Sequence, residues 1–181
     1  MYNIKSELED LGLKHTDLRK YNQIKNKIEK SKDKQNLYIK KFSSLVQKTL
    51  DKEKFKYSIN GRSKSIYSIY NKMENQAIPF ESIYDKFAIR VVYSAERNDE
   101  KFVAWKIYSI ITDHFVPNPT RLRDWITAPK STGYEALHIT VSGPENQWIE
   151  VQIRSERMHE IAEKGYAAHH KYKIANKKDI G

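Results

Sequence analysis

The chain opens on two apolar stripes with helical spacing. Leu8, Leu11, Leu18, Tyr21, Ile24 and Ile28 form the first, and Leu37, Tyr38, Phe42, Leu45, Val46 and Leu50 form the second, so residues 4–57 are predicted to be helical. Between them Ser31-Lys32-Asp33-Lys34 is polar on every side and predicts a turn or a fresh N-cap, giving two or three helices. From residue 61 the texture changes. A helix is expected over about 63–74, with Ile66, Ile69, Tyr70 and Met73 on its apolar side. Residues 84–93 are rich in β-branched and aromatic types and read as a buried strand. Ala104 to Phe115 carries Trp105, Tyr108, Ile111 and Phe115 at helical intervals and is stopped by Pro117 and Pro119. His138–Ser142 and Trp148–Arg154 are two further strands, joined as a hairpin by the turn-rich Gly143-Pro144-Glu145-Asn146-Gln147. Ser155 is placed to cap a last helix through Met158, Ile161 and Ala162 to about Lys173, followed by a frayed tail.

Strand alternation divides the hairpin into two chemistries. Ile139, Val141, Ile149, Val151 and Ile153 share one face, and His138, Thr140, Glu150, Gln152 and Arg154 share the other. A polar strand face can simply look at water; a mixture of Glu, Gln, Arg and His also suits a nucleotide cleft. Composition narrows the classes. With no cysteine, disulfide scaffolds, thiolate metal sites and thiol nucleophiles are excluded. Hydrophobic residues at 39% and aromatics at 12% are too many for a disordered tail. No apolar run approaches the roughly 20 residues that span a bilayer, and no signal-peptide core opens the chain, so a soluble, cytoplasmic protein without membrane partners is expected.

The formal net charge is +10, which anticipates a polyanionic partner. Residues 1–60 hold 15 basic and 8 acidic residues, so most of the excess lies in the first third, where no aromatic or glycine interleaving accompanies the lysines and a solvated face is the simpler reading.

Three clusters carry candidate chemistry. Asp85 opens the first predicted strand, and if it shares a sheet with Glu150 the two carboxylates could hold Mg²⁺, which uses one or two carboxylates plus substrate phosphates. Lys64, Ser68 and Lys72 are spaced by four and are expected on one helix stripe, with Arg62 just ahead of the helix amino end; free amides, helix dipole and cations there suit a triphosphate, although a wet basic face is the plain alternative. Arg121 and Arg123 lead into Lys130 and then Gly133-Tyr134, where glycine permits a backbone that sets the ring out from a loop to stack on a base.

Gly61-Arg62-Ser63-Lys64-Ser65-Ile66-Tyr67-Ser68-Ile69-Tyr70-Asn71-Lys72-Met73, Tyr84-Asp85 to Arg90, Lys130 to His138, and Glu150-Val151-Gln152-Ile153-Arg154 to His169 follow one another in the order found in the RelA/SpoT family of alarmone synthetases, whose synthetase domain the chain resembles. The resemblance implies an α+β fold, a nucleotidyltransferase-like mixed sheet flanked by helices, over residues 58–175, with 1–57 as a helical linker segment and 176–181 as a frayed tail. It implies transfer of the β,γ-pyrophosphate of ATP to the ribose 3′-hydroxyl of GDP or GTP, releasing AMP, with Mg²⁺ as cofactor. Asp85 and Glu150 become the metal carboxylates, and Glu150 also takes the hydroxyl proton. Arg62, Lys64, Ser68 and Lys72 form the ATP side, with Arg97 as a second arginine on adenine. Tyr134 stacks on guanine, and Lys130, His138, Gln152, Arg121 and Arg123 belong to the acceptor side. Arg121-Leu122-Arg123-Asp124 is the basic version of a segment associated with ready use of GDP. Thr132, Ala136 and His170 depart from the commoner asparagine, serine and tryptophan. No His-Asp hydrolase motif is present, so synthesis without hydrolysis is expected, from a fragment of a long enzyme more than from a stand-alone form. Contact with tRNA or the ribosome would then belong to other domains. The alternative within the superfamily is a toxic enzyme that pyrophosphorylates the 3′ end of tRNA; a non-enzymatic nucleic-acid-binding module is a third reading.

Overall fold

The computed structural model describes residues 2–83 and 86–164. Its elements run α1 (Tyr2–Thr16), α2 (Leu18–Leu50), β1 (Tyr57–Ser63), α3 (Ile66–Gln76), β2 (Phe87–Tyr93), α4 (Glu100–Thr112), β3 (Arg123–Asp124), β4 (Leu137–Ser142), β5 (Trp148–Ser155) and α5 (Glu156–Lys164). Five strands form one mixed sheet in the order β1-β2-β5-β4-β3, with β2 and β5 parallel and the other neighbours antiparallel. This is the α+β mixed sheet flanked by helices expected from the sequence.

The helical start differs in where it breaks. Ser31-Lys32-Asp33-Lys34 lies inside the 33-residue α2: neither Gly nor Pro interrupts the run, Ser31 Oγ donates to the carbonyls of Lys27 and Ile28, and Ile24 and Tyr38 are buried on either side. The break falls instead at Asp17, whose side chain caps α2 by accepting from Lys20 N at 3.0 Å. Two strands are not predicted by the hydrophobic pattern, the two-residue β3 and the whole of β1. Tyr57–Ser63 pairs with β2 along its whole length, although Asn60-Gly61 looks like a turn. Gly61 has another reason to be glycine: an added Cβ would stand 2.7 Å from Ile39 Cγ2 of α2.

One face of the sheet holds the main core. Ile89, Val91 and Tyr93 of β2, Ile139 and Val141 of β4, and Ile149, Val151 and Ile153 of β5 pack against Tyr38, Phe42, Val46 and Leu50 of α2 and Ala104, Ile107 and Ile111 of α4. The second apolar stripe of the sequence is therefore part of the sheet's own core. Ile24 of α2 joins Ile69, Phe80 and Ile83 in a smaller cluster that seats α3. Fully burying one such side chain contributes about 1.5–3 kcal/mol, so the two clusters account for most of what holds α2 across the sheet. The last helix is described to Lys164; its predicted continuation to Lys173, His170 and the tail lie outside the described residues. No helix among the described residues is long and apolar enough to cross a membrane.

Candidate active site

The opposite face of the sheet carries the polar side chains. It is not an open, water-facing surface: Thr140, Gln152 and Arg154 are buried, with 4%, 4% and 2% exposure. α5 packs on β5 and β2, and α1 packs on α3 and α5, so helices roof this face and leave a cavity of about 1060 Å³. Arg62, Lys64 and Ser68 line it from β1 and α3, Lys130, Tyr134 and His138 from β4 and the loop entering it, and Glu150 and Gln152 from β5. Eight of the residues singled out in the sequence thus converge. Strand order explains how: β5 lies between β2, next to β1, and β4, which places Glu150 between the two groups.

A chain of hydrogen bonds crosses that floor. Arg62 Nη1 donates to Gln152 Oε1 at 3.3 Å, and Gln152 Nε2 donates to Glu150 Oε1 at 2.7 Å. His138 Nδ1 stands 3.8 Å from the same Glu150 oxygen, and its Nε2 is 2.7 Å from the Tyr134 hydroxyl. Burial pushes His138 down to about 4, against the opposing pull of Glu150, so the ring is neutral at neutral pH. Burial likewise raises Tyr134. Gly133 does have φ of 77°, the left-handed backbone anticipated before Tyr134. The ring, however, turns inward, edge-on to His138 at 5.8 Å between centroids, and Lys130 Nζ sits 5.4 Å from its centre and 4.6 Å from that of Trp125.

The amino end of α3 departs from expectation. The helix starts at Ile66 with Ser65 as N-cap, so Lys64 precedes it and does not share a helical stripe with Ser68 and Lys72. Lys72 lies one turn beyond Ser68 and is not among the residues lining the cavity. Two of the first amides are already taken: Asp10 of α1 accepts from Tyr67 N at 2.7 Å and from Ile66 N at 3.4 Å. Lys5, Leu8 and Glu9 of the same helix line the cavity.

Other expected residues fall elsewhere. Arg97 is exposed in the segment between β2 and α4 and does not line the cavity. Arg121 and Arg123 do not line it either; Arg123 Nη1 donates to the carbonyls of Thr120 and Leu122. Asp85 lies outside the described residues. Two further arginines, present in the motifs but given no site role from the sequence, also belong to the site. Arg90 is paired across from Asn60 and Gln152, on the same sheet face as Arg62, and Arg154 follows Gln152 by two. Both reach Glu163 Oε1, at 3.2 and 3.1 Å, and burial, then Arg90, lowers Arg154 to about 10. A signal for Arg90 exists in the sequence: period two along Ala88-Ile89-Arg90-Val91 puts it opposite the core face.

Residues 61–177 match the family described as "Region found in RelA / SpoT proteins". The chain belongs to the RelA/SpoT family. It is 35% identical over 170 residues to a GTP pyrophosphokinase of Myxococcus xanthus, covering 94% of this chain and 22% of that protein. It is also 35% identical over 181 residues to a guanosine-3′,5′-bis(diphosphate) 3′-pyrophosphohydrolase of Spiroplasma citri, covering 99% of this chain and 24% of that one. The chain therefore spans about a quarter of the length of these curated relatives. Among solved structures, small alarmone synthetase 2 of Bacillus subtilis superposes with a TM-score of 0.55 at 26% identity, over 84% of this chain and 82% of that one.

Proposed function

We propose that this chain is a (p)ppGpp synthetase unit, which moves the β,γ-pyrophosphoryl group of ATP to the ribose 3′-hydroxyl of GDP or GTP and releases AMP. The observation that carries this reading is one cavity in which the β1–α3 residues and the loop–β4 residues flank Glu150. The family membership and the pyrophosphokinase and alarmone synthetase names of its relatives support it. Hydrolase-named relatives are about four times longer than the matched segment, and synthesis without hydrolysis is the activity we assign to the segment itself.

In this mechanism Lys64, Ser68 and Lys130 hold phosphate oxygens, and Arg62 and Arg90, rather than Arg62 and Arg97, flank the adenine. Tyr134 and His138 receive the acceptor nucleoside, with Gln152 holding the Glu150 carboxylate toward them. Glu150 takes the proton from the 3′-hydroxyl as the ribose oxygen bonds to the β-phosphorus; the bond from that phosphorus to the α–β bridging oxygen breaks, and AMP leaves. A weak hydroxyl nucleophile and a diffuse phosphoryl charge make alignment and fixed cations the main sources of rate. The donor set fits a hard divalent cation: Glu150 Oε1 is engaged by Gln152, while Oε2 accepts no hydrogen bond from the described residues. Glu150 would hold Mg²⁺ together with Asp85, and the ion would supply neutralisation of phosphate charge.

The test is to incubate the protein with ATP labelled on the β- or γ-phosphate, Mg²⁺ and, separately, GDP, GTP or tRNA, and to resolve the products. Label in ppGpp or pppGpp is the expected result. Label only in tRNA, or in none of them, would refute the reading.

A further inference from the structure

Behind the loop that carries Lys130 and Tyr134 lies a charge cluster with no group in the cavity. Arg157, at the start of α5, donates from Nε to both oxygens of Glu100, at 3.0 and 2.9 Å, and from Nη2 to Glu100 Oε2 at 2.7 Å. Its Nη1 reaches Glu135 Oε2 at 2.6 Å and its Nη2 reaches Glu135 Oε1 at 3.1 Å. Ser155 Oγ donates to Glu100 Oε1, and the Tyr93 hydroxyl donates to the Glu100 carbonyl, both at 2.6 Å. The side chains of Arg157, Glu100 and Glu135 are 12%, 6% and 15% exposed. Burial works against the charged guanidinium, yet the hydrogen bonds it donates to Glu135 and Glu100 hold Arg157 above its ordinary range.

Two carboxylates on one guanidinium leave an excess negative charge in a poorly solvated place. That is a costly way to gain stability alone, since Arg157 and Glu100 already form a balanced pair. Glu135 is the supernumerary member, and it is the residue next to Tyr134. The loop is closed at its root by Trp125 N to Ala136 O, 2.9 Å, and at its tip by Lys130 N to Tyr134 O, 3.1 Å. Glu135 lies between these two bonds, where a bidentate hold fixes the tilt of the whole loop against the β5–α5 junction.

We propose that Arg157 and Glu135 form a positioning clamp for the acceptor nucleotide, setting the loop so that Tyr134 meets His138. The proposal rests on the synthetase reading. Neither residue touches substrate; the donor-side residues Arg62, Lys64, Ser68 and Arg90 stand outside the clamped loop.

Glu135→Gln tests it without dismantling the fold, because the Arg157–Glu100 pair remains and is charge-balanced. The expected result is a KM for GDP raised about tenfold, the scale of one lost charge-assisted hydrogen bond. The KM for ATP and kcat stay within about twofold, and the melting temperature is unchanged or higher. Arg157→Lys keeps a cation but cannot fork to both carboxylates, so its GDP KM falls between the two. Equal rises in both KM values, or an unchanged GDP KM in Glu135→Gln, overturn the clamp. A GDP titration followed by intrinsic tryptophan fluorescence needs no turnover: if the unsubstituted protein makes no alarmone the synthetase reading fails, while equal GDP affinity with and without Glu135→Gln separately refutes the clamp.

Discussion

Gly61→Ala places one methyl group where the structure has no room for it. The new Cβ would lie 2.7 Å from Ile39 Cγ2, about 1 Å inside ordinary carbon–carbon contact. Ile39 cannot swing clear cheaply, because a β-branched residue in a helix is confined largely to one χ1 rotamer and leaving it costs about 0.5–1.5 kcal/mol. The alternative is to move α2 off β1, which loosens the contacts of Tyr38 and Phe42 with the sheet. Overpacking of this kind costs about 1–3 kcal/mol, and we expect about 2. For a chain of this length that lowers the melting temperature by about 4–8 °C. Arg62 is the next residue of β1 and shares the displacement, so activity should fall with stability. The assay is urea unfolding of Gly61→Ala, Ile39→Ala and the double variant. Removing Cγ2 with Ile39→Ala should relieve the clash, so the double variant should be less destabilised than the sum of the singles by about 1–2 kcal/mol. Additive losses, or a neutral Gly61→Ala, would refute the steric account.

Glu150→Gln should reduce turnover by about 10²- to 10⁴-fold, the usual worth of a positioned general base, while nucleotide binding followed by fluorescence changes only a few-fold; near-normal rates would mean that Glu150 is not the general base. His138 has a folded pKa of about 4, below its ordinary 6.5, so the unfolded chain binds the extra proton first. Its contribution to stability is fully present above about 6.5 and is lost as pH falls through 4. Unfolding midpoints at pH 7 and 4.5 should therefore diverge less for His138→Gln than for the unsubstituted protein, and equal divergence would contradict the burial argument. Ala77 ends α3 with φ of 49°, a left-handed cap that carries a Cβ penalty. Ala77→Gly should stabilise by about 1 kcal/mol, measured as a higher urea midpoint, with no change in KM for either nucleotide.

Where burial and alternation agree, the sequence was sufficient. The hairpin of β4 and β5 has the register its pattern implies, with Ile139 opposite Val151 and His138 opposite Gln152. Residues 61–64 were harder, since Asn60-Gly61 carries a local turn signal that strand pairing overrides and the tightness against Ile39 exists only in the assembled fold. Ser31–Lys34 misled in the same way: Ser31 and Asp33 are poor helix formers, yet Ile24 on one side and Tyr38 on the other are both buried, and packing carries the helix through. Candidate site residues were legible where motif and strand face coincide, as for Glu150 and Gln152. Arg97, placed on adenine by the family resemblance, is off the cavity, whereas Arg90, which strand alternation places on the polar face, is on it.

Charge was a poor guide to the site. The lysine-rich amino-terminal segment uses Lys20, Lys27 and Lys41 in exposed pairs with Glu74, Glu81 and Glu145, and exposed pairs are worth about 0–1 kcal/mol each. Phe42, Val46 and Leu50 supply the packing energy that holds α2 against the sheet. The segment meets the cavity helix through an acid instead: Asp10 holds the first amides of α3, the groups that a helix amino end would otherwise offer to an anion. Inside the cavity the same economy holds, because Arg90 and Arg154 share Glu163 and Arg62 reaches Glu150 through Gln152. A net charge counts cations and anions apart, whereas the cavity pairs them, so the region with the smaller charge excess is the one that supplies most of the cavity lining.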